Sequence, residues 1–224
     1  HRRARLRRQL AAAAMAAAVA TPPSPPPSCP LSLPPGLSPS LSLPGAKGEY
    51  KMEAVVYELN KVSAQLGKQA TAEVTNEQPN KPRLVPSAIG PTSRTLSVSP
   101  SVEDPSYRNV TWDELVESYV EQVRGLVDGG VDLLMIETIF NTQNAKAAIY
   151  AVDEYFEKSG KDRLPVRLSA TIVDNSGRTL SGQTIEAFYL SVKHANAFTV
   201  GINCALGAAQ MKRFYKSLVD INMG

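Results

Sequence analysis

The chain has 224 residues, 43% of them hydrophobic, which is enough to bury a core and excludes a chain that is disordered throughout. Its formal charge of +3 arises near the start, because residues 1–48 contain six basic and no acidic side chains, whereas the remainder has 18 basic and 21 acidic ones. This mildly acidic remainder lacks the clustered positive surface that phosphate backbones require, so a nucleic acid is not the expected partner.

Cysteine usage and hydropathy indicate the compartment. The two cysteines, Cys29 and Cys204, form no disulfide framework and suit a reducing compartment, so we expect a cytoplasmic protein. The apolar run at residues 10–20 is mostly alanine and is far shorter than the roughly 20 apolar residues of a membrane span. We therefore predict no membrane helix and no membrane partner.

Residues 1–48 have the composition of a disordered leader. They are rich in Arg, Ala and Ser and contain ten of the 17 prolines, so they cannot bury enough apolar surface to offset the entropy of ordering. An Arg-rich segment without acids is typical of an organellar transit peptide, but a chain that begins with His equally suggests translation of upstream sequence. We favour the second interpretation and expect one folded domain over residues 50–224.

The first part of that domain is predicted to contain a helix, an extended run and a long loop. Apolar residues at steps of three and four, from Val55 to Ala70, indicate the helix, which Asn76 and Pro79 end. Residues 83–89 form the extended run. The Ser- and Pro-rich loop at residues 92–106 is long for a connector and is either a plain linker or an active-site lid.

The next helix and strand have strong signals. Thr111 and Glu114 form a T-x-x-E capping box at the helix start, and Gly129-Gly130 ends the helix. The apolar run at residues 131–136 indicates a strand covered on both faces, with Glu137 at its C-terminal end.

The remaining pattern repeats strand and helix. We predict a helix at about residues 143–157, a strand at 166–173, a helix at 184–194, a strand at 199–203 and a terminal helix. Leu134, Leu168 and Ile202 lie 34 residues apart in successive strands, and such alternation indicates a parallel sheet. Four βα units are half of a (β/α)₈ barrel or most of an open doubly wound sheet, and no glycine-rich phosphate-binding motif follows any strand.

Long segments of the sequence carry a resemblance to a known family. These segments are GPTSRTLSVSPSVEDPSYRNVTWDELVESY, GGVDLLMIETIFNTQNAKAA, ATIVDNSGRTLSGQT and VGINCALGA. In order and without large gaps, they resemble the homocysteine S-methyltransferase family. The TLSVSPS and SGRTLSGQT stretches are similar to its cobalamin-dependent methionine synthase branch. The resemblance implies an α/β fold, a partial (β/α)₈ TIM-type barrel of about four consecutive units.

The resemblance also implies a site. The family holds zinc with three cysteine thiolates, of which only Cys204 has a match here, and zinc would present homocysteine sulfur as a thiolate. Glu137 matches the glutamate that binds the amino group of homocysteine, and Asn203 would support the same pocket. Position alone leaves Glu137 equally suited to a solvated strand end, and makes an N-cap of the following helix the safer role for Asn203.

The implied reaction transfers a methyl group from methylcobalamin, supplied by methyltetrahydrofolate, to homocysteine, giving methionine. The cobalamin-binding and folate-binding domains of such an enzyme are not in this chain, and we expect the chain alone to be inactive. Alternatives are a betaine- or S-methylmethionine-dependent homocysteine S-methyltransferase, a non-catalytic half-barrel fragment, and an unrelated metabolic α/β enzyme.

Overall fold

The computed structural model describes residues 55–223, so the predictions for residues 1–48 lie outside the described residues. The elements follow one another as α1 (Val56–Glu77), β1 (Pro86–Ile89), α2 (Trp112–Asp128), β2 (Leu133–Ile139), α3 (Thr142–Ser159), β3 (Val166–Thr171), α4 (Ile185–Val192), a 3₁₀ turn (Lys193–Ala195), β4 (Thr199–Asn203) and α5 (Ala208–Met223). Each predicted helix and strand of the described part is present.

The strands form one parallel sheet in the order β1-β2-β3-β4, as the strand spacing predicts. Ile89 pairs with Ile136, Ile136 with Leu168, and Leu168 with Val200, so apolar side chains from all four strands lie in one row. The prediction of a partial (β/α)₈ barrel is confirmed.

The helices pack on one face of the sheet and bury its apolar side chains. The capping box forms at the start of α2: Thr111 accepts a hydrogen bond from the backbone N–H of Glu114, and Glu114 Oε2 accepts one from the N–H of Thr111 at 2.8 Å. The fully buried core comprises Ile89, Leu134 and Leu168 from the sheet with Leu115, Val123, Leu126, Val152 and Phe188 from the helices.

The opposite face of the sheet is more polar and less covered. It presents Met135, Glu137, Arg167 and Gly201, and the Arg167 side chain is exposed. In a closed barrel this face would be the interior. Below we call it the inner face.

Helix α1 buries a different side from the one that carries most of its apolar residues. Its buried residues are Val56, Asn60 and Ala64, whereas Val62 and Leu66 are largely exposed.

In the part of the chain that the structure describes, no helix is long and apolar enough to cross a membrane.

Candidate functional site

The carboxyl end of β2 carries a bulge that turns two consecutive side chains the same way. Ile136 pairs with Leu168 and Ile139 pairs with Ala170, so Glu137 and Thr138 together stand opposite one residue of β3. Thr138 has a φ of 56°, which a β-branched residue rarely adopts. Because Ile136 and Ile139 are both buried towards the helices, the bulge leaves Glu137 and Thr138 on the inner face.

Two opposing effects act on the half-buried carboxylate of Glu137. Burial raises the pKa of this carboxyl, and the guanidinium of Arg167 on the neighbouring strand partly offsets the rise by favouring the charged form. A half-buried carboxylate can pair with a cationic group such as an ammonium, and the positive charge of Arg167 would oppose rather than assist this second cation.

A small pocket lies beside Glu137 at the same end of the sheet. Its lining includes Gly90, Pro91 and Thr92 after β1, Glu137 itself, and Phe140 after β2. The pocket therefore lies between the segments that follow β1 and β2 and the helices α2 and α3, which contribute Tyr119, Asn144 and Ala145.

Asn203, the last residue of β4, connects three strands through its carboxamide. Its Oδ1 accepts hydrogen bonds from the hydroxyls of Ser169 (3.3 Å) and Thr171 (3.1 Å) on β3. Its Nδ2 donates to Thr138 Oγ1 on β2 at 2.9 Å and to Cys204 Sγ at 3.2 Å. Because α5 begins only at Ala208, the prediction that Asn203 caps this helix is wrong.

Cys204 follows β4 in a strained turn. Its φ is 63° and that of Ala205 is 34°, both in the left-handed region that non-glycine residues seldom occupy. The thiol is free and exposed. Backbone strain thus occurs immediately after Glu137 on β2 and immediately after Asn203 on β4.

The structure brings the three predicted residues to one edge. Glu137 adjoins Thr138, whose hydroxyl contacts Asn203, and Asn203 contacts the sulfur of Cys204. Because β2, β3 and β4 are parallel, Glu137 and Cys204 lie at the same carboxyl rim of the sheet.

Sequence reasoning missed the polar residues that support this edge: Thr138, Arg167, Ser169 and Thr171. Ser169 and Thr171 are buried in the same strand, two residues apart, and therefore share one face. Two buried hydroxyls on one face of a strand need hydrogen-bond partners. This spacing of Ser and Thr is the sequence signal that could have identified the two residues.

The donor set does not amount to a metal site within the described residues. Residues 55–223 contain no group of three or more His, Cys, Asp or Glu side chains placed to hold an ion. Cys204 provides one thiol, and the contact recorded for its sulfur is the amide of Asn203. Three thiolates, or an equivalent set, are not assembled by this part of the chain.

Hydrogen bonds hold the long loop after β1 in place. Asn144 at the start of α3 is buried, accepts from the backbone N–H of Leu96 at 3.0 Å, and donates to Thr92 Oγ1 and the Arg94 carbonyl, both at 2.9 Å. Arg108 Nε donates to the Leu96 carbonyl at 2.9 Å. The interpretation of this loop as a plain linker is therefore wrong, since it forms a fixed wall beside the pocket.

Comparison with known proteins gives one family. A family model described as homocysteine S-methyltransferase matches residues 38–224. Among solved structures, the apo form of the homocysteine methyltransferase MmuM from Escherichia coli is 19% identical, with a TM-score of 0.55 over 70% of this chain and 52% of that one. Its metallated form is 17% identical, with a TM-score of 0.47 over 80% of this chain and 77% of that one. The chain thus spans about half the length of the first of these structures, and the first likeness shows a shared fold.

Proposed function

This chain belongs to the homocysteine S-methyltransferase family, and we propose that it forms the part of a methionine synthase that binds homocysteine for methyl transfer. The observation that carries the proposal is the convergence of Glu137, Asn203 and Cys204 on one strained edge of the sheet, beside a pocket. Strained backbone of this kind, here at Thr138 and Cys204, clusters at active sites and ligand sites.

In this proposal Glu137 binds the ammonium group of homocysteine. Its carboxylate lies on the inner face, half-buried, where an ion pair is screened less than at an open surface. The incoming ammonium would favour the charged carboxylate and so oppose the effect of burial on its pKa. Asn203 connects Thr138, the neighbour of Glu137, to the sulfur of Cys204.

Zinc is the cofactor that we propose for the complete site, with Cys204 as the ligand from this chain. The described residues contribute one thiol only, so we derive no step through the metal. We expect this chain alone to bind zinc weakly, because a zinc site needs its full ligand set.

We further propose methylcobalamin as the methyl donor, recharged by methyltetrahydrofolate on other domains of the enzyme. The two stretches that resemble this branch are residues 95–101 and 176–184, and both belong to loops that follow strands. The second loop packs against the end of β2, where Ser181 Oγ donates to the Phe140 carbonyl at 2.8 Å. Loops at the carboxyl ends of barrel strands face the substrate, so they are where donor preference would be set.

The first experiment measures substrate binding by this chain. L-homocysteine is titrated into ¹⁵N-labelled protein, with and without zinc, and amide shifts are followed. We expect shifts in the segments after β2 and β4, and an affinity about tenfold or more weaker in Glu137→Gln, since a charge-assisted hydrogen bond is lost. Glu117→Gln, an exposed change on α2, is the matched control. Equal affinity in all three proteins would refute the role of Glu137.

The second experiment identifies the donor. A version extended at both ends to the length of its relatives is assayed for methionine formation with methylcobalamin, betaine or S-methylmethionine. Activity with methylcobalamin alone supports the methionine synthase branch. Activity with either of the other donors assigns the chain to that branch of the family instead.

A further inference from the structure

The carboxamide of Asn203 has all its hydrogen-bonding positions occupied by side chains. Two hydroxyls donate to Oδ1, and the two N–H bonds of Nδ2 point to Thr138 Oγ1 and Cys204 Sγ. A primary amide offers two donors and an acceptor oxygen with two lone pairs, so this set saturates it. The four partners come from the ends of β2, β3 and β4.

The hydroxyls on β3 determine which way the amide faces. Ser169 and Thr171 are buried, with exposures of 4% and 8%, and each hydroxyl needs an acceptor. Since only the oxygen of the amide can accept, Oδ1 faces β3 and Nδ2 faces β2 and the sulfur. A flipped amide would leave the protons of these two hydroxyls without this acceptor.

The bulge on β2 supplies the remaining partner. Without the extra residue, alternation along the strand would turn Thr138 towards the helices, whereas the bulge and the φ of 56° turn it to the inner face. A strained backbone at a β-branched residue persists only when surrounding contacts hold it, and the hydrogen bond from Asn203 at 2.9 Å is one such contact.

We propose that Thr138, Ser169 and Thr171 are positioning residues, which lock the Asn203 carboxamide so that its Nδ2 holds the sulfur of Cys204 at the edge of the sheet that also carries Glu137. This inference rests on the proposed function for its consequence on homocysteine. Its structural part, the locked amide, stands on the four contacts alone. The bulge places Thr138 on the same face as its neighbour Glu137.

The lock is tested on this chain, without ligand, by nuclear magnetic resonance of the Asn203 side-chain amide, assigned by its loss in Asn203→Asp. We expect the two amide protons of the wild type to exchange slowly with solvent. Thr138→Val and the double change Ser169→Ala with Thr171→Val keep the strand shape but remove hydroxyls, and should each accelerate this exchange about tenfold, the effect of losing about one hydrogen bond.

Two controls separate positioning from folding. Thr138→Ser and Thr171→Ser retain the hydroxyls and should restore slow exchange. Thr199→Val changes a threonine at the opposite end of β4, whose side chain makes no hydrogen bond within the described residues, and should leave the amide unchanged. An amide that exchanges at one rate in all variants would overturn the lock.

The consequence for substrate is measured on the same samples. Homocysteine should bind about tenfold more weakly to Thr138→Val and to the double variant than to the two serine variants. The control Thr199→Val should bind it like the wild type. If the amide loosens while the affinity stays constant, the positioning role is wrong. If the wild type binds no homocysteine, the proposed function fails, and the amide exchange still decides whether the lock exists.

Discussion

At the scale of single residues, the charge state of Glu137 couples function to stability. Burial raises the pKa of its carboxyl above the ordinary value of 4.5, so the folded protein binds the proton more tightly than the unfolded chain does. The stability that this tighter proton binding contributes is fully present below the pKa that Glu137 has in the unfolded chain. It is lost as the pH rises through the pKa that Glu137 has in the folded protein. At higher pH the side chain of Glu137 is an ionised carboxylate, which its partial burial disfavours.

We therefore predict that Glu137→Gln raises the free energy of unfolding at neutral pH, because the neutral amide avoids this cost. The gain should shrink as the pH falls and vanish below about 4.5. Denaturant unfolding at several pH values measures it. Arg167→Met removes the cation that lowers the pKa of Glu137 and should act in the opposite sense, destabilising the protein at neutral pH. A gain independent of pH would contradict this account.

Asn144 is the residue on which the loop after β1 depends. It holds that loop through three hydrogen bonds, two to backbone groups and one to Thr92. We predict that Asn144→Ala costs about 2–3 kcal/mol of stability and accelerates amide hydrogen exchange at residues 94–97. Gln143→Ala, an exposed change at the neighbouring position, is the control and should do neither. Unchanged exchange in the loop would show that other contacts hold it.

At the scale of elements, the contact between α1 and α2 depends on missing side chains. A Cβ atom added to Gly125 would lie 2.7 Å from the Tyr57 carbonyl and 2.9 Å from Asn60 Cβ. One at Gly129 would lie 2.5 Å from Ala64 Cβ. These glycines, one turn apart, let the backbones approach, which explains why α1 buries Asn60 and Ala64 rather than Val62 and Leu66.

The sign of the stability change in Gly125→Ala distinguishes the effect of packing between α1 and α2 from the effect of helix propensity. Helix propensity alone would make Gly125→Ala stabilising by about 1 kcal/mol, whereas the clash predicts a net loss of about 1–3 kcal/mol. Thermal unfolding decides between the two. Glu117→Ala, exposed on the same helix, should change stability by less than about 0.5 kcal/mol. A stabilised Gly125→Ala would mean that α1 can shift away freely.

At the scale of the whole molecule, the open question is where the folded domain begins. The leader predicted from composition is residues 1–48, whereas the family match starts at residue 38. We predict that deleting residues 1–37 leaves the melting temperature unchanged, because that proline-rich segment offers no apolar face. We predict the same result for deletion of residues 1–48, and a lower melting temperature of that variant would contradict the boundary at residue 48.

Local patterns in the sequence determined most of the fold. The capping box of α2, the apolar run of β2 and the 34-residue spacing of Leu134, Leu168 and Ile202 depend on residues close in the chain, and they predicted the helices, the strands and their parallel order. The position of Glu137 and Cys204 at one edge followed, because parallel strands end together. The family resemblance selected those residues.

The tertiary structure alone decided the support of the site. Thr138 and Asn203 lie 65 residues apart, and they meet only because a bulge at the end of β2 reverses the direction of one side chain. The buried side of α1 depended similarly on two glycines, Gly125 in α2 and Gly129 at its C-terminal cap. The hydrophobic periodicity of a sequence indicates which residues share a face of one helix or strand. It does not indicate how closely two elements approach, or where a strand contains a bulge. Those depend on steric fit between segments distant in the chain, and this is why Thr138, Ser169 and Thr171 became visible only in three dimensions.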